Sequence, residues 1–406
     1  MALRIGPYVF ILATLVIDAI GIGIVFPIMP DLMERVGAHD TAEGSIWAGV
    51  LMAAYAGAQF VFGPIVGSVS DAWGRKPVLL AALFFLAIDY VVMALAGTFW
   101  LLLIGRTLAG LAGATFITAT AYISDITPRE DRAARFGMIG AAFGIGFVIG
   151  PSLGGLVAAW HVTAPFWVAA VLAAANLVLG LLVLPESLPK DRRRAFGARD
   201  LNPFASFAIA WAMPGMAIPL ICIGLFEFAN MVYPTLWAFW GREMFGWSAL
   251  VIGLSLSGYG LLAALAQIFV MPVAVARLGE GRLALCGLIT ALVGFMGFGL
   301  AGSVWAVALV MPLAALSDLV PPTLTALSAN AADEDRQGMI QGVIASLGSL
   351  AAVIGPLVFT PVFSVFAGPD AAVRMPGAPF LLSAAIVACV LPLAYRLTRP
   401  GVQNRA

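Results

Sequence analysis

Long apolar runs, each about as long as a lipid bilayer is thick, constrain this chain more than any other feature. Twelve can be read, at residues 6–30, 45–69, 77–97, 99–123, 136–159, 164–185, 213–237, 248–276, 283–301, 303–328, 339–363 and 379–396. A helix takes roughly 20 residues to cross about 30 Å of hydrocarbon. At that depth every backbone amide must be bonded within its own segment, so an open chain can cross only as helices. Composition agrees, since 62% of the residues are hydrophobic and 10% charged, against about 25% charged in a soluble domain. No water-soluble core could hide such an excess. The reading is an all-α polytopic membrane protein with twelve transmembrane helices. The N-terminus starts like a signal peptide, Arg4 followed by apolar Val9–Ile17. The apolar run continues past Asp18 without a convincing small-residue cleavage site, so it is expected to be the first span.

Loop charge sets the expected orientation. Of the 21 Lys and Arg residues, 17 fall in the termini and loops of one side. Only Arg35, Arg242 and Arg374 fall on the other, and Arg106 lies within a span. This bias predicts that both termini are cytoplasmic. The basic run Arg192–Arg194 is then a topology signal, with anionic lipid as a lesser partner. The longest charged stretch, Glu186–Asn202, separates six runs from six. The expected organisation is a bundle over 1–185, a cytoplasmic linker over 186–205 and a second bundle over 206–406. Two weak echoes at an offset of 205 suggest a pseudo-two-fold internal repeat: Gly150-Pro151 with Gly355-Pro356, and Gly74 with Gly279. Chance is the plain alternative in a chain with 44 glycines.

Four acids stand alone in these runs: Asp18, Asp89, Glu227 and Asp318. An ionisable group at bilayer depth costs several kcal/mol unless it faces a cavity or a partner, so each is a candidate functional residue. With Arg106 they suggest a path for protons or polar solutes. Burial in a poor solvent favours the neutral carboxyl and a nearby cation favours the charged one. A change of surroundings can therefore load and release a proton. Asp18 is expected to be a principal coupling residue and Arg106 its charge partner. The plain alternative, most pressing for Asp89, is a static buried ion pair. Asn230, Tyr233 and Trp237 follow Glu227 at helical spacing and would form a pocket for a flat, partly polar ligand. Gln59, Phe116 and Gln267 are further pocket candidates. Glu227 and Asp318 could instead bind a cationic drug, or bond backbone at helix breaks near Pro234 and Pro321-Pro322.

Other chemistries find little support. His39 and His161 fall between spans, and Cys222, Cys286 and Cys389 lie in apolar runs, so neither a metal site nor a disulfide framework is suggested. No Gly-Lys-Ser/Thr loop is present to cradle a nucleotide. An enzyme, an ATP-driven pump and a nucleic-acid partner are not expected, and no cofactor is.

Three stretches carry a family resemblance. Gly67-Ser-Val-Ser-Asp71-Ala-Trp-Gly74-Arg75-Lys76-Pro77 joins the second and third runs. Gly74 would permit a tight reversal there, Pro77 suits a first helical turn, and Asp71 could meet a helix N-terminus or Arg75. Asp125 is a second possible partner for Arg75. This segment resembles the loop of the major facilitator superfamily that governs switching between its two access states. Gly105-Arg106-Thr-Leu-Ala-Gly110 resembles that family's R-x-x-x-G motif. Gly146, Gly150, Pro151, Gly154 and Gly155 resemble the antiporter signature of its drug-efflux members, where small residues allow close helix approach.

Closer still, Asp18-Ala-Ile-Gly-Ile-Gly-Ile-Val-Phe-Pro27 is similar to the opening of the twelve-helix tetracycline–proton antiporters. So are Leu86-Ala-Ile-Asp89-Tyr90, Phe245-Gly-Trp247 and Gln337-Gly-Met-Ile-Gln341-Gly342. The resemblance implies export of tetracycline-like or other amphipathic drugs, with a tetracycline–divalent cation complex as cargo and protons as coupling ion. It also implies a monomer in the inner membrane. A metabolite or sugar carrier of the same fold is the alternative. Two departures stand out: where those exporters carry a histidine in helix 8 and an aspartate in helix 9, this chain has Ala263 and Ala291. Glu227 or Asp318 could replace the aspartate.

Overall fold

A computed structural model describes residues 6–112, 115–128, 131–193, 213, 216–330 and 337–398. Parts of the expected linker and of the charged loop Arg129–Arg132, and the whole of the loop Asp333–Arg336, lie outside the described residues. The apolar runs fold as twelve helices long enough to span a bilayer. They are α1 (Pro7–Arg35), α2 (Thr41–Trp73), α3 (Arg75–Leu95), α4 (Phe99–Ile126), α5 (Arg135–Ala158), α6 (Ala164–Val183), α7 (Ala217–Phe245), α8 (Ala249–Leu278), α9 (Glu280–Gly299), α10 (Val304–Ala329), α11 (Met339–Ala367) and α12 (Ala378–Arg396). No strand is assigned among the described residues. The protein is thus an all-α, multi-pass membrane protein.

Chain breakers decide where the long helices bend. Pro234 has no amide hydrogen for the carbonyl of Asn230, and α7 is interrupted at Met231. Pro321 and Pro322 leave the carbonyls of Ser317 and Asp318 without their usual donors. There α10 tightens into a 3₁₀ turn, Leu316–Leu319. Pro272 similarly follows a π-helical turn, Ala266–Val270, in α8.

The chain divides into two compact units. One holds Met1–Ala38, Val50–Asn202 and Trp247–Ser257; the other holds His39–Gly49, Pro203–Gly246 and Gly258–Ala406. Each therefore takes in the first turns of a helix whose remainder belongs to the other. In the first unit α1 packs most extensively on α5. Its core includes Phe10, Ile11 and Leu15 of α1, Leu79 of α3, Tyr122 and Ile123 of α4 and Ile139 of α5. In the second unit α9 packs on α12 and α10. Gly299 meets Gly377 so closely that a methyl group on Gly377 would strike the Gly299 backbone, and one on Gly299 would strike the Leu381 side chain. An aromatic core of Trp237, Trp240, Phe298 and Phe380 fills the space beside it, with ring centroids 5.1–6.4 Å apart.

Candidate functional site

The loop between α2 and α3 is built around Gly74. Its φ of 110° is one that an L side chain rarely adopts, and a Cβ there would lie 2.8 Å from Arg193 Nη2. Gly279, ahead of α9, has φ 73° and a similar extended ψ. Directly after Gly74, Arg75 is 9% exposed. Its guanidinium meets Asp71 Oδ1 at 2.5 Å, Asp125 Oδ2 at 3.0 Å and Ser70 Oγ at 2.8 Å. Both acids suggested for Arg75 are thus in place, and among the described residues it is not Asp71 that serves a helix N-terminus. That role falls to Glu186, which sequence reading left in the linker. Its carboxylate accepts hydrogen bonds from the backbone amides of Arg75, at 2.8 Å, and Lys76, at 3.3 Å. Two orphan donors and the positive end of the α3 dipole are satisfied together. Glu186 also accepts from Leu188 N and lies 3.9 Å from Arg193 Nη2. Ser187 donates to Asp125, and Lys76 Nζ reaches the carbonyl of Leu181 at 3.4 Å. The start of α3, the end of α4 and the segment after α6 are therefore tied by one charged network. Gly67 adds nothing to it, having only Ile117 Cγ2 at 3.7 Å.

A second construction lies along α5. Gly146, Gly150 and Gly154 recur every fourth residue and so share one face. Cβ atoms on them would stand 2.5 Å from Val16 O, 2.8 Å from Ile20 O and 2.5 Å from Ile24 O. The bare face lets the backbones of α1 and α5 touch. On the next face Gly155 lies against Ala249 and Leu250, and the carbonyl of Pro151 against Gly253. Ser257 Oγ accepts from Ser152 N at 3.0 Å.

The polar residues of α1 to α4 gather beside this contact. Arg106, expected to partner Asp18, is instead ion-paired with Asp89 through Nη2 and Oδ2. The reason is geometric: Gly105, next to Arg106, leaves room for Asp89 Oδ1, which would be 3.1 Å from a Cβ there. The pair is only half satisfied, since Asp89 Oδ1 and Arg106 Nε are buried without partners. The guanidinium also lies 5.4 Å from the centre of the Tyr55 ring. Asp18 is left without an ion pair or hydrogen bond among the described residues. It sits within electrostatic reach of Tyr55 and Tyr90. The Tyr90 hydroxyl occupies the space over Gly21, one turn along α1.

In the second unit the break in α10 carries Asp318 and the break in α7 follows Glu227 and Asn230. The Tyr259 hydroxyl of α8 donates to the carbonyl of Ala314 at 3.5 Å, one turn before Asp318. Glu227 and Tyr233 are each within electrostatic reach of Asp318. Among the described residues, the Glu227 side chain makes no backbone bond at the helix break. The family-type positions Ala263 and Ala291 are buried, at 8% and 1% exposure, and have no ionisable group to offer.

The expected pocket stripe divides. Asn230 stays near Glu227, whereas α7 is reset at Met231, and Trp237 packs into the aromatic core at 3% exposure. Tyr233, between the two in sequence, stacks on Phe295 at 5.2 Å and keeps its hydroxyl buried without a hydrogen-bond partner. Among the remaining candidates, Gln59 is partly buried on α2, and Gln267 is exposed on the π-helical turn of α8. Phe116 is exposed at a recess also lined by Thr120, Ser124 and Phe136, edge-on to Phe143 at 5.7 Å.

Comparison with known proteins agrees with this construction. The family model of the Major Facilitator Superfamily matches residues 11–356 and 220–405. The class C tetracycline resistance protein of Escherichia coli is 39% identical over 98% of both chains. The class B protein of the same organism is 32% identical over 86% of each. Among solved structures, a human organic anion transporter aligns over 95% of this chain and 100% of its own, at 25% identity and a TM-score of 0.66. A bacterial homologue of the lysosomal transporter Spinster aligns over 98% of this chain and 97% of its own, with a TM-score of 0.80. At 14% identity it speaks to the fold alone. A loop network on Arg75, a glycine-faced α5 and isolated acids within the spans thus coincide with end-to-end sequence identity, and the chain belongs to the Major Facilitator Superfamily, in the group that holds the tetracycline resistance proteins.

Proposed function

We propose that this protein is a proton-coupled antiporter that exports tetracycline-like or other amphipathic drugs by alternating access. The identity of 39% along 98% of the chain to a tetracycline resistance protein carries this reading. The chemistry fits it. Asp18 lies in a span without a cation of its own, so a proton or a charged cargo must neutralise it there. The Asp89–Arg106 pair beside it is incompletely bonded and thus suited to changing partners. The network of Asp71, Arg75, Asp125 and Glu186 is the latch that would open and close as access switches.

Both termini are read as cytoplasmic from the 17 basic residues on one side against three on the other, and an inner-membrane location goes with the transport reading. It works as a monomer, binds no nucleic acid and catalyses no covalent reaction. Protons are the coupling ion, and the cargo includes a drug–divalent cation complex.

The test is drug–proton exchange in everted membrane vesicles. Wild-type protein is expected to take up tetracycline when an inward-acid gradient is imposed and to release protons as it does so. Asp18→Asn is expected to abolish the gradient-driven uptake while the protein still inserts and folds. Uptake that ignores the gradient, or survives Asp18→Asn, would remove the assignment.

A further inference from the structure

A groove of about 460 Å³ opens on the first unit, away from the sites described above. Its walls come from α2, α3 and α4, and every side chain lining it is aliphatic or aromatic. Ala81 and Ala82 of α3 share it with Trp73, Phe85 and Leu108. Two methyl side chains among bulky neighbours leave the hollow. A void of this kind costs its lining the dispersion contacts that a filled space would give.

The rim of the groove faces outward. Trp73 is 70% exposed, Leu108 54% and Phe85 49%. Leu108 also continues a stripe with Trp100 and Ile104, one turn apart along α4 and both exposed. In a protein of twelve apolar spans, such a stripe is surface that meets lipid. The groove is therefore continuous with the interface between protein and bilayer.

Its direction narrows the occupant. Trp73 ends α2 and Pro77, also in the lining, lies in the first turn of α3. One end of the groove is thus at the membrane surface, where tryptophan is enriched. Phe85 stands two turns deeper along α3, about 12 Å at 1.5 Å per residue. One leaflet supplies about 15 Å of a hydrocarbon core about 30 Å thick. The groove runs from the interface through most of one leaflet, which suits an extended hydrocarbon chain. A drug bearing polar groups finds no charged or amide side chain in the lining.

We infer that this groove binds one acyl chain of a phospholipid, drawn from the leaflet on the Trp73 side. The chain supplies the packing missing between α2, α3 and α4, the helices that carry Asp71, Arg75 and Asp125. The inference depends on the protein spanning a bilayer and not on what it transports.

Photocross-linking of the full-length protein in nanodiscs tests this. The probe is phosphatidylcholine with a diazirine at the middle of one acyl chain, and labelled residues are mapped by mass spectrometry. Label at Phe85 and Leu108 is expected to be at least fivefold denser than at Trp305 and Leu309, which are 85% and 82% exposed on α10 and report general lipid contact. Moving the diazirine next to the headgroup should shift the groove label toward Trp73. Ala81→Phe fills the hollow and should cut the groove label at least fivefold while leaving that on α10 unchanged. Ala81→Ser, similar in volume, should keep it. Thermal midpoints of the same samples separate a filled groove from a lost fold, and the comparison with α10 needs no variant. Groove label no denser than that on α10 would mean ordinary bilayer contact and overturn the inference. So would label that ignores the position of the diazirine, or that survives Ala81→Phe. Cross-links between two copies of the chain at these residues would give the groove to a second copy and overturn it equally.

Discussion

The Asp89–Arg106 pair allows a quantitative test of how charge is held within the spans. The Asp89 side chain is 2% exposed and that of Arg106 13% exposed. One carboxylate oxygen is already unpartnered. Arg106→Ala would strand the second as well, and breaking a buried pair from one side costs about 3 to 5 kcal/mol. Asp89→Asn should cost less. It removes the charge that most needs a partner and leaves the guanidinium over the Tyr55 ring at 5.4 Å, a contact worth about 0.5 to 2 kcal/mol. Replacing both by apolar residues of similar size, Asp89→Leu with Arg106→Met, strands no charge. It is expected to fall within about 1 kcal/mol of wild type or to exceed it, as apolar replacements of buried pairs do. The assay is unfolding of purified protein in mixed detergent–SDS micelles, followed by tryptophan fluorescence, with Asp89→Leu and Arg106→Met also made singly so that they and the double variant close a double-mutant cycle. A coupling energy of several kcal/mol is expected. A loss below about 1 kcal/mol for Arg106→Ala, the value of an exposed pair, would refute the reasoning. So would a double variant no better than the worse single one.

Two further expectations follow from geometry. Gly150→Leu would press a side chain into the α1 backbone, 2.8 Å from Ile20 O, and should lower stability by about 1 to 3 kcal/mol or more. Gly140→Leu, on the same helix with nothing within 4 Å of its Cβ direction, is the comparator; equal losses in thermal midpoint would dismiss the close-approach account. Glu186→Gln removes the anion from the start of α3 and should cost about 0.3 to 1 kcal/mol through the helix dipole. Faster hydrogen exchange at the Arg75 and Lys76 amides is the expected sign, and unchanged exchange would show that the cap contributes little.

Much of this was readable from primary structure because membrane helices answer to a local rule. A run of about 20 apolar residues must close its own hydrogen bonds wherever it sits. Most span limits therefore moved by only a few residues between reading and structure: 99–123 became Phe99–Ile126 and 283–301 became Glu280–Gly299, whereas 213–237 became Ala217–Phe245, eight residues further at its end. Gly74 and Arg75 were legible for the same reason. A positive φ and an i, i+4 ion pair to Asp71 depend on residues a few places apart. Local chemistry also announced the breaks, because Pro234 and Pro321-Pro322 withhold hydrogen bonds from carbonyls four residues back.

Partner choice was not legible. Asp18 was the expected partner of Arg106, and the packing of α3 against α4 gives Arg106 to Asp89 instead. Glu186 looked like one more charge in a polar linker. Its role at the α3 N-terminus joins positions 111 residues apart. Trp237 matched a polar stripe by spacing, but the break at Met231 turns it into the aromatic core. The chain's own residue order determined how many helices cross the membrane, where they bend and which acids lie inside, since each rests on bonds within one segment. Tertiary structure alone decided which of those acids has a cation and which does not, because that depends on which helices a close-packed glycine face allows to meet.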